Sequence, residues 1–267
     1  MSKTEEIKKQ IRKTYGDVAK SDPSSSGCCS GGQAERDIAN IHAERLGYSK
    51  EEAESVPEGA NLGLGCGNPT AIAALTPGEV VLDLGAGAGF DAFLAADKVG
   101  DEGLVIGVDM TAEMVEKARA NADKIDAKNI SFRLGEIEHL PVADATVDAI
   151  ISNCVINLSP DKPQVFAEAL RVLKPGGRLA ISDVVATAEM PDEILEDLEL
   201  YSCCVSGAST IDDLRAMLEE AGFVDVTIEP KDESREFIRE WAPGAVVDEY
   251  IRSASIEAKK PGKQSCC

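Results

Sequence analysis

No apolar run in this chain approaches the length of a membrane span. The first residues, Met1-Ser2-Lys3-Thr4-Glu5-Glu6, are charged and lack the apolar stretch of a secretory leader. The expectation is a soluble, cytoplasmic protein with no membrane partner. Basic residues are scarce, Lys+Arg 27 against Asp+Glu 48, which leaves a net charge of −21. So acidic a chain repels phosphate backbones, which argues against nucleic acid as a partner. Histidine is nearly absent: His42, His139 and the single Trp241 are isolated and read as core or surface residues, with no pair to build a metal cage or a catalytic base. No C-x-x-C occurs, so a zinc ribbon or a thioredoxin-like site has no support. What is present is cysteine. Eight of them in a chain read as intracellular suggest metal, metalloid or redox chemistry rather than a disulfide scaffold. The 267 residues, 43% hydrophobic, suffice for one large domain or for a domain with an appended lobe.

The chain is organised around Val80-Val81-Leu82-Asp83-Leu84-Gly85-Ala86-Gly87-Ala88-Gly89-Phe90. Val80 to Leu84 read as a buried strand. Gly85, Gly87 and Gly89 leave no Cβ where the chain turns and a ligand comes close. A helix from about Phe90 to Val99 then aims its free N–H groups at that ligand. Gly103 to Asp109 is a second strand ending in an acid, a place from which a carboxylate accepts hydrogen bonds from ribose hydroxyls. Asp83, ahead of the glycines, would repel a pyrophosphate but suits a cofactor with a cationic amino-acid tail. This stretch resembles motif I of the S-adenosylmethionine-dependent methyltransferases, with Asp109 as the ribose acid, over about residues 60 to 185. The resemblance implies a cofactor site built from Asp83, Gly85, Ala86, Gly87, Asp109, Met110, Glu136, Ile137 and Asn153, the 135–141 loop lying along the adenine.

Elsewhere, Ile7, Ile11, Tyr15 and Val18 fall three or four apart and predict an amphipathic helix over residues 2–20. A Ser/Gly-rich loop carries Cys28 and Cys29. Helices follow at Gln33–Leu46 and after Ser49, whose spacing to Glu52 reads as a capping box. Asn61 to Pro69 is too glycine-rich for regular structure. Further strands are expected at Ile130–Leu134, Ala145–Ser152, Arg178–Ala186, Phe223–Ile228 and Tyr250–Ala258. Helices are expected at Thr111–Lys124, Pro163–Leu173 and Ser234–Trp241, and within 191–221, broken there by Ser202–Ala208. The alternation implies an α/β fold with a mostly parallel, doubly wound sheet covered by helices on both faces. The methyltransferase resemblance makes it Rossmann-like and seven-stranded with the last strand antiparallel. The expected division is 1–60, N-terminal helices and a cysteine-bearing loop; 61–190, the cofactor-binding core; 191–267, a C-terminal α+β lobe and tail.

Cys66, Cys154 and the pair Cys203/Cys204 come from separate parts of the chain. Dispersed thiols beside a methyl donor suit a soft, three-coordinate substrate. Gly63-Leu64-Gly65-Cys66-Gly67-Asn68-Pro69, Ser152-Asn153-Cys154-Val155-Ile156-Asn157-Leu158-Ser159-Pro160-Asp161-Lys162 and Cys204-Val205-Ser206-Gly207-Ala208 resemble the arsenite methyltransferase family, over most of residues 28 to 260. The resemblance implies Cys154 and Cys204 as arsenic ligands, Cys66 as a third thiol and Cys28 or Cys29 as an N-terminal one, with Cys203 set aside by its place in the motif. Eukaryotic relatives carry Tyr where this chain has Leu64. The implied reaction moves a methyl group from S-adenosylmethionine to trivalent arsenic, supplied as arsenite or its glutathione adduct, with thioredoxin or glutathione as reductant. Two alternatives stand beside it. One is methyl transfer to a small organic molecule such as a quinone or sterol, which would not need dispersed thiols. The other is a metalloid-binding or redox-sensing protein without catalysis, which would not need Asp83 and Asp109.

Overall fold

The computed structural model describes residues 3–20, 31–241 and 246–262. Cys28, Cys29, Cys266 and Cys267 lie outside them. One seven-stranded sheet organises the described residues, in the order β3-β2-β1-β4-β5-β7-β6. Its strands are β1 (Val80–Leu84), β2 (Leu104–Asp109), β3 (Ile130–Leu134), β4 (Val147–Asn153), β5 (Leu173–Ala186), β6 (Val224–Lys231) and β7 (Ile251–Lys259). The first five are parallel neighbours, and β7 runs antiparallel between β5 and β6. Residues 191–267 therefore supply two strands to the same sheet.

The apolar runs of the central strands are buried because both faces are covered. Val81, Leu82, Leu84, Val105, Val108, Ile150 and Ile151 have no exposed surface. On one face Leu82, Ile150 and Leu179 pack on α7 (Lys162–Val172) and α10 (Ile211–Ala221) through Val165, Phe166, Leu214 and Leu218. On the other, Val81, Val105 and Ile151 meet α5 (Phe90–Val99) and α6 (Ala112–Lys124) through Phe93, Leu94 and Val115. Here too lie α2 (Gly31–Arg45), the short α3 (Lys50–Ser55) and α4 (Pro69–Ile72). The Ser49 capping box closes in both directions: Ser49 Oγ accepts from Glu52 N at 3.1 Å and the Glu52 carboxylate accepts from Ser49 N at 2.9 Å.

Two boundaries differ from the sequence reading. The Lys174-Pro175-Gly176-Gly177 turn does not separate α7 from β5. The strand begins at Leu173, which pairs with Val147, and Arg178 pairs next with Ala149, so the intervening residues bulge out of the ladder. Gly176, at φ +84°, takes the left-handed conformation that this bulge requires. Strand β6 extends to Lys231 because its last residues pair with Ser253 to Ser255 of β7.

The chain leaves β1 toward β2 on one side, while β4 lies on the other. The carboxyl ends of β1 and β4 thus border the switch point at which open α/β sheets bind ligands. A third apolar cluster caps this end. It joins Ile7 and Ile11 of α1 (Lys3–Lys20) to Cys66, Cys154, Cys204, Val205 and Ile251. With α8 (Asp192–Leu195), α9 (Leu198–Ser202) and α11 (Arg235–Trp241), α1 closes the cluster over the sheet.

Candidate active site

A cavity of about 420 Å³ opens at this end of the sheet, and its walls hold most of the residues expected from the sequence. Asp83, Gly85, Ala86, Gly87, Asp109, Met110, Ile137 and Asn153 all line it, and so do Cys154, Cys203 and Cys204. The glycine loop has the conformation that its residues predict. Gly85 sits at φ +68°, and a Cβ there would run into the Val155 side chain. Gly87 sits at φ +52°, and a Cβ there would meet nothing within 4 Å. The loop is held by Asp109, whose Oδ2 accepts from Gly87 N at 3.0 Å and Oδ1 from Thr111 N at 2.8 Å.

Asp83 is 2% exposed, and its carboxylate accepts no hydrogen bond from the described residues. Burial, then the neighbouring carboxylates of Asp91 and Asp109, push its carboxyl well above the usual range. A buried acid facing a cavity without a donor fits a cationic group from a ligand, as the amino-acid tail of S-adenosylmethionine provides. Asp91, on the first turn of α5, adds a second carboxyl, raised by burial to about 6. It accepts from Tyr48 Oη at 2.6 Å and from Asn153 Nδ2 at 3.0 Å.

Two expected cofactor residues stand differently. Glu136 is not on the cavity wall; its carboxylate holds α1, accepting from Lys8 Nζ at 2.7 Å and pairing with Arg12. Glu138, also reached by Lys8 at 3.2 Å, lines the cavity instead. Asn153 does face the cavity, but its amide is spent on the protein. Nδ2 donates to Gly67 O at 2.9 Å and Oδ1 accepts from Cys66 N at 3.0 Å, so it clamps the Cys66 loop to the end of β4.

The thiols converge beyond the glycine loop. Cys154 directly follows β4 at φ +58°, and Cys204 follows α9 closely at φ +63°. A left-handed conformation is uncommon for a residue with a Cβ, and here it turns both side chains out of regular structure. The Cys204 thiol donates to the Cys154 carbonyl at 2.7 Å. The sulfurs of Cys66 and Cys154 and a carboxylate oxygen of Asp183 lie within 4.8 Å of one another. Cys66 does not line the main cavity; it is 1% exposed behind Cys154 and donates to Ser182 O at 3.6 Å. Cys203 is exposed on the cavity wall. Burial raises the Cys66 thiol. The hydrogen bond to Cys154, then burial, raises Cys204. At Cys154 the Cys204 thiol pulls downward, yet Cys66, burial and Asp183 prevail and the group stands well above the ordinary range. The surroundings thus work against negative charge on all three sulfurs.

Several residues in and around the cavity escape sequence reading. Tyr15, counted there as one of a packing stripe, donates from its hydroxyl to Ser202 O at 3.1 Å, one residue ahead of Cys203. His42 and Trp241, read as plain core or surface, also line the cavity. Asp183, 1% exposed, lies beside the thiols on β5, where the strand's apolar pattern gives it no signal. Tyr48 and Asp91 have meaning only through their contact with Asn153.

Sheet order, glycine loop and strand-end acid define a class I methyltransferase, and residues 75–222 match the methyltransferase domain family. The chain is 54% identical to an arsenite methyltransferase of Halobacterium salinarum, covering 97% of this chain and 68% of that protein. It is 36% identical to a human arsenite methyltransferase, covering 82% of this chain and 58% of the relative. The crystal structure of an arsenic(III) S-adenosylmethionine methyltransferase from Chlamydomonas reinhardtii superposes with a TM-score of 0.62 at 34% identity, over 85% of this chain and 74% of that one. The chain belongs to the arsenite methyltransferase family.

Proposed function

We infer that the family's reaction, methyl transfer from S-adenosylmethionine to trivalent arsenic, runs in this chain through Cys154 and Cys204 with Cys66 behind them. The observation that carries the reading is the meeting of Cys154 and Cys204 at the wall of the cavity that Asp83, Gly87 and Asp109 also line, with the Cys66 sulfur close to that of Cys154. S-adenosylmethionine bound there would supply an electrophilic methyl group to the arsenic lone pair, its S–C bond breaking to release S-adenosylhomocysteine. Asp83 would hold its cationic tail and Asp109 its ribose, while Asp109 keeps the loop in place through Gly87 N.

Each thiol takes arsenite by exchange: an S–As bond forms, an As–O bond breaks, and the thiol proton leaves with the hydroxide as water. The acceptor lone pair carries no proton, so no general base is required. The work of the protein is placement, which can contribute about 7–11 kcal/mol for well-oriented partners. Tyr15 and Met110 beside the thiols, with the rest of α1, exclude water. Methyl transfer leaves arsenic pentavalent. Two thiols can return it to the trivalent state by closing to a disulfide and losing two protons, and thioredoxin or glutathione reopens that disulfide. Cys28 or Cys29 joins Cys66 as a candidate for this step. On this reading residues 1–60 wall and resupply the site, 61–190 hold the donor, and 191–267 bring Cys204.

Incubation of the enzyme with S-adenosylmethionine, arsenite and a thiol reductant, followed by arsenic speciation, tests the reading. Methylated arsenic is expected from the parent and none from Cys154→Ser. A folded Cys154→Ser enzyme working at the parent rate would remove Cys154 from the site.

A further inference from the structure

The sequence segment that carries Cys154 runs on through Asn157 to Lys162, and the thiol chemistry gives neither residue a task. Both connect the two cysteine turns. Lys162 opens α7, yet its Nζ crosses to donate to Gly207 O at 2.6 Å, three residues beyond Cys204. Asn157 lies against that same glycine so closely that a Cβ on Gly207 would run into the Asn157 carbonyl oxygen. The Asn157 side chain is in turn fixed from below, donating to Asp183 Oδ1 at 2.9 Å and to Val184 O at 2.6 Å. Asp183 also accepts from Ile156 N at 2.8 Å, so its carboxylate pins the turn just after Cys154 to β5. Neither cysteine turn is regular structure, and each cysteine is held in a left-handed conformation that costs free energy. Something must hold the turns in mutual register.

We propose that Lys162 and Asn157 are positioning residues that lock the Cys204 turn onto the Cys154 turn and so preform the dithiol that captures trivalent arsenic. The proposal rests on Cys154 and Cys204 being the arsenic ligands, as inferred above. Lys162 touches neither substrate nor thiol on this reading; it acts through the Gly207 carbonyl. The bond is at the end of a half-buried lysine, whose burial holds its pKa below the ordinary lysine range although the Asp183 carboxylate opposes that shift. Losing it lets the Cys204 turn drift while leaving the glycine loop, Asp83 and Asp109 untouched.

The test is sodium arsenite titration of the reduced full chain, with S-adenosylmethionine affinity measured in parallel. Lys162→Met keeps the length of the side chain and removes the donor and the charge. Arsenite affinity should fall by about tenfold or more while S-adenosylmethionine affinity stays within about twofold. In a Cys204→Ser background the same change should add nothing, because there is no second thiol to place. Gly207→Ala, which forces the two turns apart from the other side, should reproduce the selective loss. Parent-like arsenite affinity in folded Lys162→Met protein overturns the proposal. So does an equal loss of both affinities, or failure of both variants to fold, since either makes the contact a general support of the fold. If Cys204→Ser alone binds arsenite as the parent does, the ligand reading fails and the clamp fails with it, whereas a weakened Cys204→Ser beside a parent-like Lys162→Met overturns the clamp alone.

Discussion

Removing the Asp109 carboxylate should damage the donor site twice. Its two oxygens each take a backbone N–H, from Gly87 at 3.0 Å and from Thr111 at 2.8 Å, and the same group faces the cavity. A hydrogen bond to a charged partner contributes roughly 1.5–3 kcal/mol, which is about tenfold to 150-fold in affinity. Asp109→Ala forfeits one such contact to the ligand and also releases Gly87, whose φ of +52° the bond helps to hold. The expected loss of S-adenosylmethionine affinity thus lies at or beyond the top of that range, with a lowered melting temperature. Asp109→Asn separates the two contributions. It keeps one acceptor for Thr111 N but turns an NH2 toward Gly87 N or toward the ligand, so its affinity should fall between parent and Asp109→Ala. Calorimetry and thermal melts measure both effects. Unchanged affinity in Asp109→Ala would take Asp109 out of the site, and an Asn variant as weak as Ala would refute the loop-holding part of the reasoning.

Three further outcomes are expected. Cys204→Ser should fold and bind S-adenosylmethionine, because an unpaired buried hydroxyl costs about 1–3 kcal/mol against a domain stability of about 5–15 kcal/mol. It should lose arsenite methylation, whereas Cys203→Ser, altered on the exposed thiol, should keep most of it; equal losses by arsenic speciation would reverse the assignment. Glu136→Gln should loosen α1 by no more than about 1 kcal/mol, since its partners are partly solvated, and weaken donor affinity a few-fold, less so in high salt. Lys8 holds the Glu136 carboxyl below the usual range, so its contribution is present above the ordinary glutamate pKa and is lost as pH falls through the lowered one; a parent-like acid melting profile for Glu136→Gln would contradict this. Arsenite binding near neutral pH should exchange no protons with buffer, checked by calorimetry in buffers of different ionisation enthalpy.

What the sequence revealed depended on how far apart the interacting residues are along the chain. The central strands, the glycine loop and the acid ending β2 are local patterns, and burial on both faces makes their apolar runs continuous. Cys66, Cys154 and Cys204 were visible because each sits in its own short context. The supports were hidden. Tyr48 and Asp91 meet Asn153 over more than sixty positions, and nothing near Asp183 marks it as the residue beside two thiols. Glu136 shows the converse. Its place after β3 suggested the adenine, but Lys8 and Arg12 of α1, more than one hundred and twenty positions earlier, claim its carboxylate. Helix α1 itself was legible as amphipathic, yet only the fold shows that its apolar stripe seals a ligand cavity.

If Cys154 and Cys204 are the arsenic ligands proposed above, the state of the thiols decides how arsenite is captured. A reactive cysteine usually has a lowered pKa and attacks as thiolate. Here burial and the Asp183 carboxylate work against charge on three neighbouring sulfurs, and all three groups are raised. A thiolate that replaced an arsenic-bound hydroxide would have to take up a proton to release water, so its arsenite affinity would fall as pH rises. A thiol carries that proton with it, and the exchange is neutral at every step. A low-dielectric pocket thus favours a neutral substrate that leaves only water behind, whereas a divalent cation would have to expel protons into the same surroundings. Arsenite affinity should consequently stay level from about pH 6 to about pH 8 and decline only as the raised thiols begin to ionise. A buffer-dependent heat equal to one proton or more per arsenite, or an affinity falling steadily across that range, would show that at least one of the three sulfurs is held as thiolate in the free enzyme.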